Sequence, residues 1–289
     1  MLFDQDRCRS LLFVPADNER FLQSALRGDA DVIQIDLEDA ISLELKDLAR
    51  DSAKSAIDRI HDAGRVGSVR VNSESELLSK DLAAVVGARL AALTVPKVND
   101  PESLQRLDVL VSDLESRRDI PPGQIRLIAQ IESAKGVLNA REIATSTPRL
   151  AAMGIGPEDL AADVGGIVNP DTLQFPNMQV LYAAREAGVT PIGYPGSITV
   201  YNEPETFRAW IRSAKAQGFA GGFCIHPNQV ELLNEEMRPT APEVQEAERL
   251  IQAAEDHPGE GAFAHGGRMV DAPVIEGAKR VLRRHELFS

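Results

Sequence analysis

Charged and polar side chains in this sequence gather at one end of short apolar runs. Asp36-Leu37-Glu38-Asp39 closes the run that begins at Val32, Arg70-Val71-Asn72 closes the next, and Lys97 and Glu132 close the two after that. Gly154-Ile155-Gly156-Pro157 then leads into Glu158-Asp159, and His226 closes a later run. Alternation in a strand turns such groups inward, and packing alone gives no reason for polar groups at one end of otherwise apolar strands. Two carboxylates from neighbouring strand ends, with no histidine or cysteine cluster near them, suit a hard, oxygen-seeking cation. Mg²⁺ is the expected ion, with Mn²⁺ as a substitute, and Glu132 and Asp159 are the expected direct ligands; waters and substrate oxygens would complete the shell. Each has a plainer reading: Glu132 as a carboxylate favoured at a helix N-terminus, Asp159 as a helix cap.

The remaining groups follow from charge. Asp36, Glu38 and Asp39 would repel one another around a buried mouth unless metal, water or arginine neutralised them, so they are expected to support the metal site from behind. Arg70 is either an exposed strand-end arginine or, the reading preferred here, a clamp for a substrate carboxylate or enolate. Lys97 could form a Schiff base if its pKa were depressed, but acidic neighbours would keep it protonated. His226 suits a structural role, bridging loop backbone, at least as well as a catalytic one. No Gly-x-Gly-x-x-Gly or Walker-type loop is present, which leaves dinucleotide and P-loop chemistry without support.

The elements that must carry these groups recur with a βα period. Eight runs read as strands: Ser10–Ala16, Val32–Glu38, Gly67–Asn72, Ala92–Lys97, Arg126–Glu132, Leu150–Gly156, Thr190–Gly196 and Gly221–Pro227. Helices are expected at Asn18–Arg27, Leu45–Ala63, Ser75–Val86, Pro101–Arg117, Ala134–Thr145, Met178–Ala187 and Pro204–Gln217, with caps at Asp17 or Asn18, at Asn99 or Asp100, and at Ser133. Eight such units predict a closed (β/α)8 TIM barrel over residues 1–234, an α/β fold, with a doubly wound open sheet as the alternative. A C-terminal helical extension follows over residues 235–289: a helix at Pro242–Glu255, a glycine-rich loop at His257–Gly267 and a last helix at Pro273–His285.

Composition narrows the function classes. The 289 residues suffice for a full core, and 43% hydrophobic with 26% charged residues is an ordinary globular balance. A formal charge of -13 repels phosphate backbones and anionic lipid, so neither nucleic acid nor membrane is an expected partner. Met1 to Ser10 mixes acidic and basic residues ahead of only a short apolar stretch, so no export signal is expected. Cys8 and Cys224 are the only cysteines and lack metal-ligand spacing, which fits a reducing cytoplasm.

These residues resemble the HpcH/HpaI aldolase superfamily, in its citrate lyase beta-subunit-like and malyl-CoA lyase branch, over nearly the whole chain. The landmarks, in order, are Arg9-Ser10-Leu11-Leu12-Phe13-Val14-Pro15-Ala16, Asp36-Leu37-Glu38-Asp39-Ala40, Arg70-Val71-Asn72, Val95-Pro96-Lys97, Ile131-Glu132-Ser133-Ala134, Gly156-Pro157-Glu158-Asp159-Leu160, Ile225-His226-Pro227-Asn228-Gln229 and Arg268-Met269-Val270-Asp271-Ala272-Pro273. The resemblance implies Mg²⁺ on Glu132 and Asp159, an oxo-acid carboxylate on Arg70, and coenzyme A across the barrel mouth. Coenzyme A would be anchored by Arg20, with Arg27 and Arg9 as further candidates. It also implies a homo-oligomer, trimer or hexamer, in which Asp271 reaches over a neighbouring subunit's site and moves the proton of the thioester enolate. Without the resemblance, Asp271 reads as the cap of the last helix. The implied activity is carbon–carbon cleavage of a 3-hydroxyacyl-CoA ester of the citryl, malyl or citramalyl type, with thioester hydrolysis as a related outcome. Alternatives are a class II aldolase of free 4-hydroxy-2-oxo acids and a subunit that works only inside a citrate lyase-type complex.

Overall fold

In the computed structural model, which describes residues 2–259 and 261–289, each of the eight apolar runs forms a parallel strand. They are β1 (Ser10–Pro15), β2 (Val32–Asp36), β3 (Gly67–Arg70), β4 (Ala92–Val95), β5 (Arg126–Ile131), β6 (Leu150–Ile155), β7 (Thr190–Ile192) and β8 (Gly222–Cys224). Pairing runs β7-β6-β5-β4-β3-β2-β1-β8, and Ile192 bridges in parallel to Gly221 just ahead of β8. The sheet therefore rolls up as a (β/α)8 barrel, not as an open sheet with two bare edges. A plug of Leu11, Val32, Ala92, Ile128, Ala152, Ile192 and Phe223 joins strands from around the ring. Only side chains pointing inward could meet in this way.

Most strands stop a residue or two before their predicted ends, although single backbone bonds to the neighbouring strand continue beyond them, as from the amides of Ala16, Leu37, Val71 and Gly156. The largest differences are β7, expected to reach Gly196, and β8, expected over Gly221–Pro227. Gly193 has a φ of +151°, outside strand geometry, and ends β7 at Ile192.

Between the strands lie α1 (Glu19–Arg27), α2 (Lys46–Asp62), α3 (Ser75–Val85), α4 (Pro101–Arg117), α5 (Ala134–Leu138), α6 (Ala140–Ala144), α7 (Pro157–Val164), α8 (Pro170–Ala187), α9 (Pro204–Gln217) and α10 (Pro227–Glu236). Asn18, Asp100 and Ser133 cap α1, α4 and α5 by accepting the Phe21, Ser103 and Gly136 amides. The single helix expected over Ala134–Thr145 is broken at Asn139, whose side-chain amide donates to the Asn99 carbonyl at 2.9 Å. α8 begins eight residues before the expected Met178, since an Asn169/Thr172 capping box with Pro170 in the first turn outweighs the interior Pro176. α7 and α10 were not expected as full helices.

The chain divides into Met1–Asn234 and Glu235–Ser289. The second unit holds α11 (Ala241–Asp256) and α12 (Ala272–Leu287), and the stretch expected as a glycine-rich loop contains a hairpin, β9 (Ala262–His265) with β10 (Arg268–Asp271). Gly266 and Gly267, at φ +57° and +77°, supply the two left-handed residues of its tight turn. Among the described residues no helix is long and apolar enough to cross a membrane.

Candidate active site

Along β2 and β5 the inward-facing positions grow more polar toward the strand C-termini: Val32, Gln34, Asp36 on one, Ile128, Gln130, Glu132 on the other. Above the apolar plug, Gln34 accepts hydrogen bonds from Ser68 and Thr94. Asp36, Arg70 and Glu132 stand above that layer, at the mouth where βα loops begin. A cavity of about 880 Å³ opens there. Asp36, Arg70, Gln130, Glu132 and Asp159 form its polar end; Phe13, Phe21, Tyr194 and Phe223 form an apolar wall, and Arg20 and Arg27 lie on α1 at its side.

Glu132 is 5% exposed. Its Oε2 accepts the Lys97 amide at 2.8 Å, and a β-carbon on Gly156 would lie 2.4 Å from its Oε1, so only glycine fits there. Burial first, then the charges of Glu38 and Asp159, push its pKa up to about 8, against the pull of the Lys97 amide and Arg70. A carboxylate in this setting calls for a proton or a cation. Asp159 sits in the first turn of α7, whose cap is Gly156, so it is not the cap residue. Glu132 precedes the cap of α5, and its recorded bond goes to Lys97 instead of that helix's amides.

Arg70 is gripped along one edge: Nε and Nη2 each donate to Asp36 at 2.7 Å, Nη1 lies 3.0 Å from Glu38, and the guanidinium sits 4.6 Å from the Phe13 ring centroid. Its remaining N–H bonds are the ones open to a ligand. Lys97 pairs with Glu38 at 2.6 Å and Asp39 at 3.6 Å. Burial works against its charge, but the Glu38 hydrogen bond and the charges of Glu38, Asp39 and Asp159 outweigh it and hold the ammonium above the usual lysine range. That leaves no free amine for Schiff-base chemistry.

Lys97 also has a left-handed backbone, φ +55°, and it is this turn that carries its amide to Glu132. A β-carbon makes that conformation cost about 1 kcal/mol. Lys97→Gly is therefore expected to be more stable than Lys97→Ala by about 1 kcal/mol in urea unfolding, although glycine is ordinarily the poorer residue. Equal stability, or a more stable alanine variant, would remove the backbone role.

The structure thus brings Asp36, Glu38, Asp39, Arg70, Lys97, Glu132 and Asp159 together at one mouth. Arg9 is elsewhere: at the opposite end of β1, it donates to Asp31 at 2.7 and 2.8 Å, so it is corrected from a coenzyme A contact to a structural ion pair. His226 accepts the Asn228 amide at Nδ1 (3.2 Å) and stacks on Tyr201. Asp271 lies in the second unit as the cap of α12. Gln34 and Gln130 were missed, although the period-two reading that exposes Glu132 also reaches them.

A parallel barrel with acidic and basic groups facing a cavity at its strand C-termini defines an enzyme. The chain belongs to the HpcH/HpaI aldolase/citrate lyase family, whose model matches residues 9–227. It is 33% identical over 280 residues to the citrate lyase subunit beta of Leuconostoc mesenteroides subsp. cremoris, covering 95% of this chain and 92% of that one. It is 34% identical over 290 residues to a (3S)-malyl-CoA thioesterase of Cereibacter sphaeroides, covering 97% and 95%. A crystal structure of the protein CitE from Mycobacterium tuberculosis, in complex with magnesium, acetoacetate and coenzyme A, has a TM-score of 0.77 at 28% identity, covering 98% of this chain and 100% of that one. The chain is thus an enzyme of the citrate lyase beta-subunit-like branch of this family, similar over nearly its whole length both to citrate lyase beta subunits and to a thioesterase.

Proposed function

We propose that this chain is a Mg²⁺-dependent lyase that splits a 3-hydroxyacyl-CoA ester of the citryl-, malyl- or citramalyl-CoA type into an acyl-CoA and an oxo acid. The observation that carries this reading is the buried Glu132 carboxylate, raised toward protonation, beside Asp159 and Arg70. The donor set fits a hard cation: the oxygens of Glu132 and Asp159 would hold it. An ion held by these two carboxylates would share the rest of its shell with water and substrate. When bound, Mg²⁺ supplies Lewis-acid polarisation of the oxo-acid oxygens.

Arg70, held by Asp36 and Glu38, binds the oxo-acid carboxylate. Lys97, Asp36, Glu38 and Asp39 keep the mouth organised, and Arg20 on α1 anchors coenzyme A. In cleavage the 3-hydroxyl passes its proton to water as the C2–C3 bond breaks, C3 becomes the oxo-acid carbonyl, the electron pair stays on C2, and Asp271 from a neighbouring subunit relays a proton from water to C2. The thioesterase relative favours a second outcome on the same scaffold, hydrolysis of the thioester. Purified protein with Mg²⁺ is tested against citryl-, malyl-, citramalyl- and methylmalyl-CoA, with free coenzyme A and oxo acid detected separately. Oxo acid with acyl-CoA indicates lyase, and free coenzyme A indicates thioesterase. Cleavage of free 4-hydroxy-2-oxo acids alone indicates an aldolase, and inactivity of the isolated chain with every ester points to a complex-bound subunit.

Arg70→Lys keeps the charge and loses the planar fork held by Asp36. A charge-assisted pair is worth about 1.5–3 kcal/mol, so kcat/KM is expected to fall by about tenfold to a hundredfold. Unaltered kinetics would remove Arg70 from substrate binding.

A further inference from the structure

Lys46, the first residue of α2, is 6% exposed, a rare position for a lysine. Its Nζ donates to the carbonyls of Leu37 (2.6 Å) and Glu38 (2.7 Å) and to Asn72 Oδ1 (2.8 Å), one acceptor for each ammonium hydrogen. Asn72 in turn donates through its backbone and side-chain amides to Asp81 Oδ2, at 2.8 and 2.7 Å, and through the side chain to the Leu37 carbonyl at 3.0 Å. Asp81, on α3 and fully buried, takes the Arg50 Nε at 2.7 Å on its other oxygen. The chain of bonds runs from α2 and α3, past the end of β3, to the turn after β2.

That turn carries the site. The two carbonyls held by Lys46 flank the Glu38 residue whose carboxylate meets Lys97 and Arg70. The Glu38 amide donates to Asp36 Oδ1, the oxygen that also receives Arg70 Nε. Burial pushes the Lys46 ammonium below the usual lysine range, opposed by Asp81, Asp36 and Glu38. A neutral amide would escape that burial cost but offers only two donors to three acceptors. Arg50 is matched by Asp81 and by the exposed Asp47, and Lys46 adds one positive charge close to a mouth where Asp36, Glu38, Asp39, Glu132 and Asp159 outnumber Arg70 and Lys97. Lys46 does not line the cavity.

We propose that Lys46 is a positioning residue: its ammonium fixes the Leu37 and Glu38 peptides and, through Glu38 and Asp36, aims the Arg70 guanidinium at the ligand. This rests on the reading of Arg70 as the oxo-acid binding group. The full-length protein is compared with Lys46→Met, Arg70→Lys and the double variant. In the condensation direction Lys46→Met is expected to raise KM for the oxo acid by on the order of tenfold while KM for the acyl-CoA stays within about twofold. Because both residues act on one contact, the double variant is expected to lose no more kcat/KM than Arg70→Lys alone. Hydrogen exchange gives a readout free of any substrate: the amides of Leu37, Glu38, Ala40 and Ile41, all hydrogen-bonded, should exchange on the order of tenfold faster in Lys46→Met, with β5 and β6 unchanged.

Losses that multiply in the double variant, or unchanged exchange in these four amides, overturn the proposal. Should Lys46→Met not fold, Lys46→Gln, which keeps two donors and drops the charge, carries the same comparisons. If the wild type turns over none of the thioesters and binds no oxo acid by calorimetry, the reading of Arg70 fails on its own, and the exchange measurement still decides whether Lys46 holds the turn.

Discussion

Glu132→Gln is expected to abolish thioester cleavage and Mg²⁺ binding while making the metal-free protein more stable at alkaline pH. The folded-state pKa of Glu132 is raised from 4.5 to about 8, so in the metal-free protein the folded chain holds a proton that the unfolded chain releases. Stability then falls as pH climbs from about 4.5 to about 8 and stays lower above that range. The glutamine variant is spared a destabilisation on the order of 5 kcal/mol at pH 9, and should match the wild type near pH 4. Melting curves in chelator at both pH values give this difference directly. Added Mg²⁺ should raise the melting temperature of the wild type and leave that of Glu132→Gln unmoved, because an ion that binds only the folded state stabilises it. Asp159→Asn should likewise lose binding and turnover with the fold intact. Full turnover in chelator, or a Glu132→Gln variant that still responds to Mg²⁺, would defeat the assignment.

The same residue shows why so much of the site was legible in the sequence. Glu132 ends a run whose other inward positions are Ile128 and Gln130, and period-two alternation needs no structure to find it. The strands themselves were legible for the same reason, since parallel strands buried on both faces read as short aliphatic runs. Their ends were not, because Asp36 and Arg70 finish adjacent strands in register and pair side by side, and no local pattern records that. α7 and α10 are short and follow their strands at once through Pro157 and Pro227, which left little periodicity to read. The hairpin of the second unit hides behind alanines and glycines, and its turn is fixed by the positive φ of Gly266 and Gly267.

What the sequence conceals most fully is which charges work as supports. Arg70 reads from the sequence as a clamp for a substrate carboxylate or enolate, and the structure shows that Asp36 takes one edge of its fork and Glu38 lies against Nη1. Lys46 reads as an ordinary first-turn lysine on α2, and only the fold shows its ammonium between the carbonyls of Leu37 and Glu38. Both cases turn on pairings between residues far apart in the chain. Arg149 shows the opposite outcome: it is buried with Glu115 and Asp108 at the N-terminal end of β6, where a barrel keeps stabilising ion pairs and not chemistry.

Asp271→Asn separates the helix cap seen in the second unit from the proton transfer proposed for the same carboxylate. In the structure Asp271 caps α12, accepting the Val274 amide at 3.4 Å, and asparagine caps as well as aspartate does. If capping is its whole role, the asparagine variant stays active, and only Asp271→Ala loses about 1 kcal/mol of stability. The proposed function demands more, since Asp271 then moves the C2 proton, and the asparagine variant should be as stable as the wild type with turnover reduced by about a hundredfold or more. Exchange of the C2 hydrogens of the acyl-CoA product with deuterated solvent should disappear, while oxo-acid binding persists. The subunit that supplies this carboxylate is tested by mixing Asp271→Asn with Glu132→Gln, each inactive alone. If the tail of one copy serves the barrel of another, exchange of subunits creates sites with a sound Glu132 and a sound Asp271, and activity returns. Mixed oligomers that form and stay inactive would place Asp271 in the service of its own chain, and an active Asp271→Asn would leave it as a helix cap.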